Sequence, residues 1–153
     1  VSAVEAVLAR LKGDAAVAAA LTGGVYRGDL KRQGPNATPD AYAPTEPHQA
    51  RPAAVVVDDG EVDALLGPPT SQAGTVSVWF YAPRTALGRE SIAAGVEATR
   101  RSLYGFQWPT QNGTTPARIE GPGLRLGTRD DPVDDARLVD RVAFPYAAVW
   151  RLD

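Results

Sequence analysis

Apolar residues at Val4, Val7, Leu8 and Leu11 recur at i, i+3, i+4 and i+7, the stripe of an amphipathic helix that begins near Ser2. Gly13-Asp14 interrupts the stripe, and Asp14 is placed to cap a second, short helix through Val17 and Leu21, ended by Thr22-Gly23-Gly24. Val25-Tyr26-Arg27 reads as a short extended piece. From Ala53 the run Ala-Ala-Val-Val-Val-Asp is β-branched and unbroken, which predicts a strand inside a sheet. A polar, glycine-rich stretch over 60–74 reads as a connection. Thr75 to Ala82 then alternates Val76, Val78 and Phe80 against Ser77, Trp79 and Tyr81, a strand with one aliphatic face and one aromatic, polar face.

Pro83 stops that strand, and a helix is predicted from about Thr85 to Tyr104, with Ile92, Val96, Thr99 and Leu103 on one side and Gly105 placed to end it. Arg100 and Arg101 fall in its last turn, where cations suit the helix dipole. Ala117–Glu120 and Leu124–Arg129 read as two short strands joined around Gly121-Pro122-Gly123, a hairpin. A final strand from Arg137 to Leu152 puts Val142, Phe144, Tyr146, Ala148 and Trp150 on one face, and Pro145 on the other predicts a bulge or an edge. Helix, strands, helix, strands without regular βαβ alternation gives an α+β fold: one mixed, largely antiparallel sheet packed with two main helices, in a single domain over 1–153.

One segment breaks this regularity. Residues 28–52 carry prolines at 35, 39, 44, 47 and 52 and no periodic apolar pattern. Each ordered residue costs roughly 1–2 kcal/mol of backbone entropy, so a coil this long inside a small domain calls for a function or for packing supplied from outside. The reading is a proline-rich arm that meets a companion.

Composition narrows the function classes. A formal charge of −2 gives no electrostatic reason to expect nucleic-acid or membrane-surface binding. The 16 basic residues include only two lysines, Lys12 and Lys31. The arginine excess suits planar, multi-donor contacts to carboxylates and carbonyls, and genome base composition would produce the same bias. With Cys 0 there is no disulfide, thiolate nucleophile or cysteine metal site. Apolar runs fall short of the ~18–20 residues of a membrane span, and no basic-then-apolar leader is visible, so a cytosolic origin is expected.

No set of residues assembles a reaction. Asp59, Glu61 and Asp63 alternate like the first ligands of a calcium loop, but the glycine and glutamate required at its sixth and twelfth positions are Ala64 and Thr70 here. Asp58 to Asp63 therefore reads as a solvated or inter-subunit acidic turn. Asp130, Asp131, Asp134 and Asp135 flank Pro132 in what reads as an exposed, solvated loop. His48 is the single histidine and lies in the arm, with no Gly-x-Ser-x-Gly elbow to partner it. Two glycosylation sequons, at Asn36 and Asn112, mean little without a secretory signal. Trp79 and Tyr81 share a strand face, and the commoner fate of such a pair is burial under a helix; the alternative is a contact surface. No cofactor or metal is expected.

The opening segment Val4-Glu5-Ala6-Val7-Leu8 through Leu11-Lys12-Gly13-Asp14 to Gly24-Val25-Tyr26, the proline-marked arm, Pro52-Ala-Ala-Val-Val-Val57, and the strand Val76-Ser-Val-Trp-Phe-Tyr81 followed by an amphipathic helix resemble tailed-bacteriophage tail terminator or tail-completion proteins. The resemblance spans about the first two-thirds of the chain and rests on element order and apolar pattern. It implies a non-enzymatic virion protein of the tail or neck, assembled in the host bacterial cytoplasm. Such a protein forms a ring, expected to be hexameric, that ends the tail tube, joins it to the head connector and lets DNA pass without specific binding. A ring needs a heterologous surface whose rotation closes, and an arm ordered by a neighbour can supply one. The expected contacts with sister subunits, tail tube protein or head-tail connector protein are the arm 28–52 and the stretch 60–74, with Arg27, Arg32, Tyr42, Arg51, Asp59 and Glu61 contributing. Other readings are another neck protein of the same virion, a small enzyme with an inter-subunit site built from His48 and the Asp58–Asp63 turn, and nucleic-acid binding through the arginines.

Overall fold

Ser2 opens the first helix by reciprocal capping. Its hydroxyl accepts the Glu5 N–H at 3.2 Å while the Glu5 carboxylate accepts the Ser2 N–H at 3.1 Å, which starts α1 (Ala3–Lys12). The computed structural model describes residues 2–28, 51–63, 71–109, 116–133 and 136–149. Asp14 caps α2 (Ala15–Ala20) by accepting the Ala16 and Val17 N–H groups at 2.9 and 3.2 Å. The Thr85 hydroxyl accepts the Gly88 N–H at 3.0 Å and opens α3 (Ala86–Leu103). Past its end, Gly105 sits at φ +66, in the left-handed region that glycine enters at no steric cost.

The strands are β1 (Val25–Arg27), β2 (Ala53–Asp63), β3 (Ser71–Pro83), β4 (Gln107–Trp108), β5 (Ala117–Ile119), β6 (Leu124–Arg125), β7 (Arg129–Asp130) and β8 (Arg137–Val149). They form one sheet ordered β1-β2-β3-β8-β5-β4, with β6 and β7 also on β8. Every pairing is antiparallel except β1 with β2. The fold is α+β, as the pattern predicts. Helix residues Val7, Leu11, Val17, Ile92 and Leu103, with Leu21 at the end of α2, pack with Val56, Val78, Phe80, Val142 and Phe144 in one core on one face of the sheet. Full burial of a side chain such as Phe80 or Phe144 contributes about 1.5–3 kcal/mol.

Several expectations need correction. The stretch 60–74 is not simply a connection: β2 runs to Asp63 and β3 starts at Ser71, with a register shift between Asp58 and Glu61. The extra residue bends the ribbon without ending it, so the acidic residues sit on a strand and not in a turn. The segments at 117–129 do not form a hairpin. Ile119 pairs with Tyr146, Leu124 with Ala143, Arg125 with Val142 and Arg129 with Val139, so β5, β6 and β7 follow one another along β8 as one interrupted strand. Gly121, Gly123 and Gly127, all at positive φ, make the interruptions.

Pro145 lies in the central strand β8, opposite Thr75 in unbroken register. Its carbonyl accepts the Glu120 N–H at 2.8 Å, and a residue's N and carbonyl point to the same side of a strand. The donor that proline lacks therefore faces the interruption after β5, where no strand waits for it. The expected bulge exists, but in the neighbouring strand.

The parallel pairing of β1 with β2 also bears on the arm, whose residues 29–50 lie outside the described residues. Parallel neighbours need a crossover of a dozen or more residues, so part of the arm's length follows from topology alone.

A candidate partner-binding surface

The side chains that point away from the helices belong to the alternate positions of β2, β3 and β8, where Val55, Ser77 and Val139 are buried and Trp79, Tyr81 and Arg141 half-buried. Val55, Ser77, Trp79, Tyr81, Val139 and Arg141 are absent from the core cluster that holds Val56, Val78, Phe80 and Val142. Trp79 and Tyr81 thus lie on the face opposite the helices, and the expectation that a helix buries them is overturned. Strand alternation forces this outcome: Phe80 and Val78 take the helix side, so the aromatic pair cannot.

Two arginines of β8 order this face. The Arg141 guanidinium lies 5.4 Å from the Trp79 ring centroid, donates to the Ser77 hydroxyl at 2.9 Å and pairs with the Asp59 carboxylate at 2.7 Å, and Ser77 also donates to Asp59. Arg137 lies 4.5 Å from the Tyr81 ring centroid and pairs with Asp131 at 2.5 Å. Asp131 is 6% exposed and not solvated as the sequence suggested, because it caps its own turn through the Val133 N–H and neutralises Arg137. Each arginine thus lies over an aromatic ring and is paired with a carboxylate, at a cost in freedom that suits a preformed contact surface. Beside Trp79 and Tyr81 a cavity of about 340 Å³ is lined also by Val55, Val57, Val139 and Val133 among others.

The flank beside β8 is also apolar on this side. Leu124 pairs with Ala143, and the Leu126 N–H donates to the Arg141 carbonyl at 2.9 Å. Both lie on the outer side of the sheet, 72% and 55% exposed. Inside the same flank, Asp140 is 1% exposed and accepts Arg125 Nε at 2.6 Å, the Gly127 N–H at 3.0 Å and the Thr128 hydroxyl at 3.2 Å. That knot fixes the interrupted strand.

Of the residues expected at contacts, Asp59 lies in this array. Arg27, exposed at the end of β1, pairs with Glu5 at 3.7 Å. Arg51 is half-buried, and the Gly23 N–H donates to the neighbouring Pro52 carbonyl at 2.7 Å, so the arm's return point is pinned beside β1. Glu61 occupies β2 opposite Gly74. Arg32, Tyr42 and His48 lie outside the described residues. Arg137, Arg141, Leu124 and Leu126 escaped sequence reading. The signal for the two arginines was the odd positions of the last strand, which alternate with Val142 and Phe144; the leucines gave none while 117–129 read as a hairpin.

Among the described residues no cluster of His, Asp or Glu could hold a metal ion, and no helix is long and apolar enough to cross a membrane. No protein-family model matches the chain, and no curated protein matches it. Among solved structures it is similar to a chain from the virion of a native gene transfer agent particle, at 17% identity and a TM-score of 0.59, covering 95% of this chain and 94% of that one. A second solved chain matches at 13% identity and a TM-score of 0.55, covering 93% and 91%. At these identities the likeness establishes a shared fold over nearly the whole of both chains.

Proposed function

We propose that this chain is a structural subunit of a tailed, phage-like virion, and within it a tail-terminator or tail-completion protein. Copies form a ring, six in our reading, that closes the tail tube and joins it to the head connector while DNA passes through the opening. The observation that carries the reading is the end-to-end match in fold to a chain of a gene transfer agent virion. The element order had already suggested the same class. The outer face supports it further: rigid arginine–aromatic pairs beside exposed leucines are the kind of surface that protein contacts use. In this reading the protein is no enzyme, and the arm 28–52, rooted at Arg27 and Arg51, contacts sister subunits or the tail and connector proteins.

Gold labelling of a tagged copy in purified particles tests the assignment. Label at the junction of head and tail is expected. Label elsewhere in the neck moves the protein to another joining position, and particles without label overturn the reading.

A further inference from the structure

The connections of the sheet leave one face to the segment that joins β1 to β2. β3 and β5 are both antiparallel to β8 and so parallel to each other, and α3, in the connection between them, packs in the core. β1 and β2 are parallel to each other and run opposite to β3. Across the strand order both connections step the same way, from β1 to β2 and from β3 to β5. Connections between parallel strands of one sheet are right-handed in about 98% of cases. Two right-handed crossovers that step the same way along oppositely directed strands pass over opposite faces. Since α3 takes the core face, a connection from β1 to β2 belongs on the outer face, where Trp79 and Tyr81 lie.

The groove on that face suits one stretch of this connection. Its lining includes Gly28, the last described residue before the arm, and Arg129, which is exposed and makes no ion pair among the described residues. The arm contains Pro44-Thr45-Glu46-Pro47, a P-x-x-P sequence. In a polyproline helix, three residues per turn put both prolines on one edge, ~9 Å apart. Aromatic-lined grooves take such an edge at little entropic cost, because proline fixes its backbone in advance. The length fits: Tyr81 stands level with Ala53, and the four residues of β2 from there to Val57 span ~13 Å. Glu46, between the prolines, supplies the carboxylate that suits Arg129. Reach fits as well. Arg51 follows Pro47 by four residues, ~12 Å when extended as polyproline, and stands two residues before the row of Tyr81.

We propose that Pro44–Pro47 docks as a polyproline turn in the groove of its own subunit, against Trp79 and Tyr81, with Glu46 on Arg129. The subunit takes its own segment because a tether this short presents it at about millimolar effective concentration. Docking anchors the returning limb of the arm and leaves residues 29–43, with Arg32 and Tyr42, as the part available to neighbours. The inference stands on the groove and the strand topology and does not depend on the virion reading.

The chain has no cysteine, so an introduced pair reports one contact. Thr45→Cys is combined in the full chain with Val133→Cys, at a position 88% exposed on the groove, under mild oxidant. The expected product is a disulfide within one chain, seen as a faster-running monomer on a denaturing gel. It forms at least about tenfold sooner than with Asn36→Cys and Val133→Cys, or with Thr45→Cys and Leu87→Cys on the exposed side of α3. Adding Pro44→Ala and Pro47→Ala lowers the rate to that of the reference pairs while the melting temperature holds. Arg129→Glu also slows linking, and Glu46→Arg in the same chain restores it. A rate equal to the references, or indifferent to the prolines, overturns the proposal. A ladder of linked chains overturns it too, by placing the segment on a neighbouring copy. Fast linking in a protein that gold labelling does not find in particles would keep this docking and remove the virion assignment; label at the junction without such linking would do the reverse.

Discussion

Arg125 donates Nε to the Asp140 carboxylate at 2.6 Å, and that carboxylate is buried at the point where the outer strand of the sheet is broken into pieces. The strand between Ile119 and Arg129 cannot keep a continuous ladder with β8, so side chains do what backbone pairing does elsewhere. Asp140 satisfies Arg125, Gly127 and Thr128 at once. Replacing Asp140 by Asn leaves Arg125, which is a third exposed, with a neutral partner and is expected to cost about 1–3 kcal/mol in urea denaturation. Arg125→Met, which leaves the carboxylate buried without its cation, is expected to cost about 3–5 kcal/mol; a loss under about 1 kcal/mol for both would mean the knot is not holding the strand.

The same interruption separates two glycines of similar φ. Gly121 is at +85 with nothing within 4 Å of an added Cβ, whereas at Gly123, φ +80, that Cβ would lie 2.7 Å from Val142 and 2.8 Å from Phe144. Gly121→Ala should cost about 1 kcal/mol of backbone strain, and Gly123→Ala should add roughly 1–3 kcal/mol of overpacking. Equal melting temperatures for the two variants would contradict this placement.

Gly88 reverses a usual rule. Alanine normally stabilises a helix interior by about 1 kcal/mol over glycine, but a Cβ at Gly88 would lie 1.8 Å from the Pro83 carbonyl oxygen, a backbone atom that cannot step aside. Gly88→Ala is therefore expected to destabilise by more than about 2 kcal/mol, read as a lowered urea midpoint.

Glu5 makes the first helix sensitive to acid. The Ser2 backbone N–H that it accepts, with help from the Ser2 hydroxyl and Arg27, holds its carboxyl below the ordinary 4.5 against the opposing effect of burial. A carboxylate depressed in the folded state stabilises fully above its unfolded value and loses that contribution as pH falls through its folded value. Wild type should therefore lose its advantage over Glu5→Gln as pH drops from about 5 towards 3, and a difference independent of pH would contradict the capping box.

Much of this architecture is legible in local pattern. The stripe Val4, Val7, Leu8, Leu11 and the caps Ser2, Asp14 and Thr85 define the helices because capping and periodicity are local properties. Strand neighbours are not local. Two short strands around Gly121-Pro122-Gly123 look like a hairpin in sequence, and only their distant pairing with β8 shows otherwise. Pro145 announced an irregularity without saying which strand held it. The outer face was half visible: Trp79 and Tyr81 stood out, but the arginines that order them come from residues about 60 positions later. The arm, read as a functional excess, is partly what a parallel β1–β2 pair requires. Its remaining length keeps a role in contacts open to trial, and deleting 30–50 is expected to abolish ring formation and tail joining in assembly assays.

The central claim is that this chain ends the tail and joins it to the head. Electron microscopy of particles made by cells lacking the gene tests it most directly. Filled heads beside separate tails of irregular length are the expected result, with joining restored by the gene supplied in trans. Intact particles with tails of uniform length in the absence of the chain would contradict the account.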